Sequence, residues 1–213
     1  MNLIIEGIVG SQAYGLANVD SDIDKLGIFV APLDDVLGLT KIKESICNTN
    51  PDCTYHEVGK YLKLALNANP TILELMYLED WETWSEEAQL IYENRDAFLS
   101  NIIRDSYGGY AISQARKLNR GAVSGRYAKH ARHCFRLLDQ GKQLLETGTM
   151  DVKVKNPEFI MSVGEYPPDE LITMFETEYV KFKNVKSILP DKPSYDVINQ
   201  VLLAIRKDDL YVK

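Results

Sequence analysis

Apolar positions along the chain change their period once. Residues 3–9 (Leu-Ile-Ile-Glu-Gly-Ile-Val) form a short β-branched run ending at Gly10-Ser11, the pattern of a buried strand followed by a turn. Asp22 to Val30 reads as a second strand, closed by Ala31-Pro32. Leu33 to Leu39 suits a short helix or turn, residues 41–48 a third strand, and Asp52-Cys53-Thr54-Tyr55 a further extended segment. Helical spacing begins near Glu57, where Val58, Tyr61, Leu62, Ala65 and Leu66 share a face. Asn69-Pro70 stops that helix and starts another over 71–78. From residue 86 onward helices are expected over 86–93, 95–118, 124–147, 168–187 and 194–206, with Gly108-Gly109 weakening the second and Gly148 stopping the third. Trp81 and Trp84 read as a junction. The expected organisation is a small α/β unit over residues 1–84 and an α-helical domain over 85–213.

Composition narrows the class without naming a function. The 213 residues are 45% hydrophobic and 26% charged, as in a soluble globular protein, and no apolar run reaches the ~20 residues of a membrane span. The amino terminus has no basic region and meets Glu6 early, so a signal peptide is not expected. Three cysteines without metal spacing suit reduced thiols and a cytoplasmic setting. A formal charge of −7 argues against a protein that coats nucleic acid. The charge is uneven, however. Seven basic residues and no acid lie between Arg116 and Arg136, leaving 17 of the 24 basic residues against 31 acids elsewhere. Such an island reads as a local anion site, or else as a solvated helix face.

The chemistry concentrates near the amino terminus. Gly10-Ser11 at a strand end allows close backbone approach to a phosphate. Asp22 and Asp24, read as i and i+2 on a strand, would project from one face and need a cation between them. Mg²⁺ is the natural ion, being oxygen-seeking and commonly shared between carboxylates and substrate phosphates. These parts suit metal-assisted transfer of a nucleotidyl group. Ser-Asp-x-Asp alone also occurs as an ordinary turn or cap.

Gly10-Ser11-Gln12-Ala13-Tyr14-Gly15 followed by Asp20-Ser21-Asp22-Ile23-Asp24 resembles the signature of DNA polymerase β-like nucleotidyltransferases. Asp52 through Tyr61, Asn69-Pro70-Thr71-Ile72-Leu73-Glu74-Leu75, Tyr127 to His133, Arg136-Leu137-Leu138 and Leu189-Pro190 are similar to the bacterial and phage branch associated with RNA repair. The resemblance implies an α+β fold: a small mixed sheet of the polymerase β-like palm type, followed by helices. It implies two Mg²⁺ ions, with Mn²⁺ as substitute, a nucleoside triphosphate donor, and a third carboxylate beside Asp22 and Asp24. Asp52 is the favoured third metal ligand and catalytic residue. Glu57 is its rival, although its place suggests the first turn of a helix.

On the helix from near Gly125, Arg126, Lys129, His130, His133, Arg136 and Gln140 share one stripe, with Tyr127, Ala131, Cys134, Phe135 and Leu138 on another. Lys129, His130, His133 and Arg136 are the expected phosphate contacts from an exposed face, beside Gly10 and Ser11. Structural hydrogen bonding is the competing role. Zinc is not expected at His130 and His133, which lack Cys or carboxylate companions. Glu74 would orient Asn69 or pair with an arginine, and Tyr14 would either stack on a base or pack. The reading is therefore a Mg²⁺-dependent enzyme moving NMP from an NTP to a hydroxyl of RNA, protein or a small molecule, with no membrane partner. The alternative is a non-catalytic nucleotide-binding module on the same fold.

Overall fold

The computed structural model describes residues 1–19, 21–39, 41–49, 52–118 and 126–208. These form two compact units: Met1–Phe98 together with the segment from Pro193 onward, and Leu99–Lys192.

The first unit is built on a mixed five-stranded sheet. Its strands are β1 (Asn2–Val9), β2 (Asp24–Val30), β3 (Ser45–Thr49), β4 (Asp52–Glu57) and β5 (Thr83–Trp84), in the order β3-β4-β2-β1-β5. Among the described residues only the β2–β4 pair is parallel. Residues Leu26 to Val30 of central β2 are all buried, which explains a continuous apolar run where a one-sided strand would alternate. Gly27 is required here because a Cβ would collide with the Ile5 carbonyl and the Tyr55 ring. Through that gap Tyr55 crosses β2 and donates its hydroxyl to Glu6 at 2.5 Å. Lys25 bonds Glu82 at 2.5 Å and lies 3.6 Å from Glu6 on the same face.

Helices of this unit are α1 (Gly10–Ala13), α2 (Leu33–Leu37), α3 (Val58–Leu66), α4 (Pro70–Glu74), α5 (Glu86–Glu93) and α10 (Tyr195–Asp208). Val58, Tyr61, Leu62 and Ala65 of α3 are buried, as the period required. Asn69 caps α4 and Pro70 occupies its first turn, where a missing N–H costs nothing.

The second unit holds α6 (Ile102–Ala115), α7 (Tyr127–Thr147), α8 (Pro157–Ser162) and α9 (Pro168–Lys183). Gly141 lets α7 close on Tyr107 and Phe182, whose atoms would lie 3.0 and 2.9 Å from an added Cβ. Gly148 ends α7 with φ +70°, the left-handed conformation that glycine adopts without cost. Arg104 donates to the carbonyls of Phe182, Lys183 and Val185, which closes the end of α9.

The α+β class with a mixed sheet is thus observed, and several local expectations change. Asp22 and Ile23 precede β2 rather than open it. The Gly10-Ser11 turn is one turn of helix, and the third strand is Ser45–Thr49 rather than 41–48. The expected helix 95–118 is interrupted: a 3₁₀ turn at Arg95–Phe98 precedes α6, which runs through Gly108-Gly109 without a break. Strand β5 was not expected, and neither was helix α8, although Asn156-Pro157 starts it as Asn69-Pro70 starts α4. Trp81, Trp84 and Tyr92 cluster within the first unit, so the sheet unit continues past residue 84 to Phe98. No helix among the described residues is long and apolar enough to cross a membrane.

Candidate active site

Asp24 opens β2 and Asp52 opens β4, and the parallel register pairs them directly. Paired residues on neighbouring strands share a face, with strands about 4.8 Å apart. Asp24 is flanked on its other side by Val9, the last residue of β1. There the chain turns at Gly10 with φ +70°, and a Cβ at Gly10 would occupy the place of the Asp24 carboxylate. Glycine is therefore needed twice over at this position, for its dihedral and for its missing side chain.

The structure does not gather Asp22 with this pair. Asp22 is exposed and lies in the loop entering β2. Ser21 closes that loop: its hydroxyl donates to Asn18 Oδ1 at 3.0 Å and accepts from the Asn18 N–H at 2.9 Å. Strand alternation does not place Asp22 beside Asp24, because only Asp24 is on the strand. Asp20 lies outside the described residues.

Glu57 is not brought to these acids. It pairs with Phe29, five residues along the strands from Asp24, about 16 Å away and on the opposite face. Its side chain accepts from the Gly59 N–H at 2.8 Å, capping α3, and from Arg206 Nη2 of α10 at 2.7 Å. Glu57 is 2% exposed. Arg206→Ala would strand that carboxylate without its cation, and we expect a loss of about 3 kcal/mol in urea unfolding.

Among the described residues no three His, Cys, Asp or Glu side chains are gathered into a metal-holding cluster. The register pair Asp24 and Asp52 is all-carboxylate, and Asp22 lies outside it on the adjoining loop. That chemistry fits a hard cation such as Mg²⁺ or Mn²⁺. The glycine cradle against Asp24 keeps the pair clear of a side chain at Gly10.

The basic stripe sinks as α7 advances. Arg126 and Lys129 are exposed, and His130 is half-buried with Nδ1 2.8 Å from Gln114 Oε1. Arg136 is only 2% exposed, contrary to the exposed face expected of it. The cause is packing: α7 runs against both α6 and α9, so its later turns are covered on several sides. The Arg136 guanidinium donates to Gln140 Oε1 at 2.5 Å and to His133 Nδ1 at 3.0 Å. Because arginine can only donate, Nδ1 accepts and the proton of neutral His133 sits on Nε2. Burial, and then the Arg136 charge, push the His133 pKa down to about 3. Burial, followed by Lys117, Arg126 and Lys129, also lowers His130. Arg120 of the basic island lies outside the described residues.

Glu74 is 1% exposed. It accepts the Tyr14 hydroxyl at 2.7 Å, while Asn69 accepts from the Ile72 N–H at 3.4 Å. A contact across 60 residues leaves no local pattern. A cavity of about 270 Å³ floored by Phe135, Phe159 and Phe182 in the second unit holds none of the expected site residues.

The chain matches the RNA repair pathway DNA polymerase beta family over residues 1–173. It belongs to that family. The match to the RNA repair pathway DNA polymerase beta family takes in Gly10, Asp22, Asp24, Asp52 and all of α7, and ends within α9. The chain is also 29% identical over 132 residues to an uncharacterized 38.9 kDa protein of the nrdC-mobD intergenic region of Enterobacteria phage T4. That similarity covers 55% of this chain and 39% of the phage protein, so the chain spans about two-fifths of the relative's length.

Proposed function

We propose that the protein is a metal-dependent nucleotidyltransferase that moves NMP from a nucleoside triphosphate to a hydroxyl acceptor, with an RNA 3′ end as that acceptor. The observation that carries the reading is the register pairing of Asp24 with Asp52 beside the Gly10 turn. Membership in an RNA repair family supports the choice of acceptor.

In this reading Asp22, Asp24 and Asp52 would hold two Mg²⁺ ions. Bound there, the ions would activate the acceptor hydroxyl and offset the charge of the triphosphate and the leaving pyrophosphate. Gly10 and Ser11 bring backbone and hydroxyl donors toward the phosphates. Lys129, at the exposed end of the α7 stripe, would contact the anionic backbone of the acceptor. His130, His133 and Arg136 belong to the same stripe, and the buried His133–Arg136–Gln140 network holds its inner end in place.

The test is incubation of the protein and Mg²⁺ with each α-labelled NTP and either total RNA or total protein. Label on RNA together with pyrophosphate release is the expected result. Label on protein would move the acceptor to a side chain. Nucleotide binding without pyrophosphate release would establish the non-catalytic alternative.

A further inference from the structure

Helix α4 is held from three sides. Asn69 caps its first turn, Pro70 pre-sets its start, and the buried Tyr61 hydroxyl donates to the Ile72 carbonyl at 2.9 Å. Its last residue, Glu74, is 1% exposed, so the carboxylate is closed to solvent. One Glu74 oxygen accepts the Tyr14 hydroxyl at 2.7 Å. Buried carboxylates are retained only with donors around them, and a bond to a charged acceptor is among the stronger neutral-donor bonds.

Tyr14 is the residue that ends α1. Its N–H bonds the Gly10 carbonyl at 3.1 Å, and the next two amides, Gly15 and Leu16, bond the carbonyls of Gln12 at 3.1 Å and Ser11 at 3.0 Å. Gly10 at the other end of this turn lies directly against the Asp24 carboxylate. A continuous path therefore runs from rigid α4, through Glu74 and Tyr14, to the Gly10–Ala13 turn and Asp24.

We propose that Glu74 and Tyr14 are positioning residues: the Glu74 carboxylate clamps Tyr14 and so holds the Gly10-Ser11 turn at the spacing from Asp24 that a triphosphate requires. The carboxylate itself touches no substrate. The assignment of substrate rests on the nucleotidyl-transfer reading, whereas the clamp is a property of the fold.

Tyr14→Phe removes only the hydroxyl and is the primary test. Amide hydrogen exchange of Tyr14, Gly15 and Leu16, each bonded within the turn, should speed by about tenfold, with the amides of β1 and β2 unchanged. Unchanged exchange of those three amides would overturn the clamp whatever the activity. In kinetics, Tyr14→Phe and Glu74→Gln should each raise KM for NTP several-fold with kcat within about twofold, because the acidic pair stays on its strands. The double variant should raise KM no more than the worse single one. Additive effects, or equal losses of kcat, would reject a shared positioning role. If the wild-type protein releases no pyrophosphate, the nucleotidyl-transfer reading fails, and the exchange experiment still decides the clamp.

Discussion

Asp24→Asn is expected to lower pyrophosphate release by about a thousandfold or more at saturating Mg²⁺, while shifting unfolding free energy by less than about 1 kcal/mol. The substitution keeps the size of the side chain and one acceptor oxygen, and removes the charge that would hold a cation beside Asp52. Asp52→Asn should behave alike, because the register makes the two acids equivalent neighbours across one strand pair. Glu57→Gln provides the contrast. It breaks a buried charge pair with Arg206 and weakens a helix cap, so stability should fall while the activity of the folded fraction changes little. Pyrophosphate release and urea unfolding on the same three variants check the ranking. A folded, inactive Glu57→Gln beside an active Asp52→Asn would reverse the assignment.

Arg136→Ala is expected to destabilise the protein by about 2–4 kcal/mol, a large fraction of the stability of an ordinary domain. It leaves Gln140 Oε1 and His133 Nδ1 without their donor and opens a void beside α7. Lys129→Ala, seven residues earlier on the exposed start of the same helix, should change stability by less than about 0.5 kcal/mol. Its effect should fall on the salt dependence of RNA binding. Thermal unfolding and RNA titration at two salt concentrations separate the roles of the two variants. Acid adds a second signature to the buried network. Unfolded His133 takes up a proton near its ordinary pKa of 6.5, whereas the folded chain resists until about pH 3. The unfolded state thus binds more protons below pH 6.5, and stability should decline as pH falls from there toward 3.

The site was legible in the sequence where its chemistry is local. Gly10 and Asp24 are recognisable because a strand end, a glycine and an acid each leave a short signature. Asp52 was separable from Glu57 only as a preference, since one stands at each end of the short strand before α3. The choice between neighbours five residues apart depends on which row meets Asp24, and that row is set by strand pairing. The exposure of the α7 stripe was misjudged at Arg136 for a related reason. A helical period tells which residues share a face, but what covers that face comes from α6 and α9.

The amino-acid sequence by itself determined most strands and helices, the glycine turn after β1 and the acidic residues near it, because periodicity and residue chemistry act over a few positions. Tertiary structure alone decided that Asp24 stands beside Asp52, that Glu57 is spent on Arg206 149 residues away, and that Glu74 holds Tyr14. It also decided that β5 and α10 complete the sheet unit from beyond its first strands. Each of these is a long-range pairing. Its free energy comes from burying groups that meet only when distant segments close on one another, and no window along the chain contains both partners.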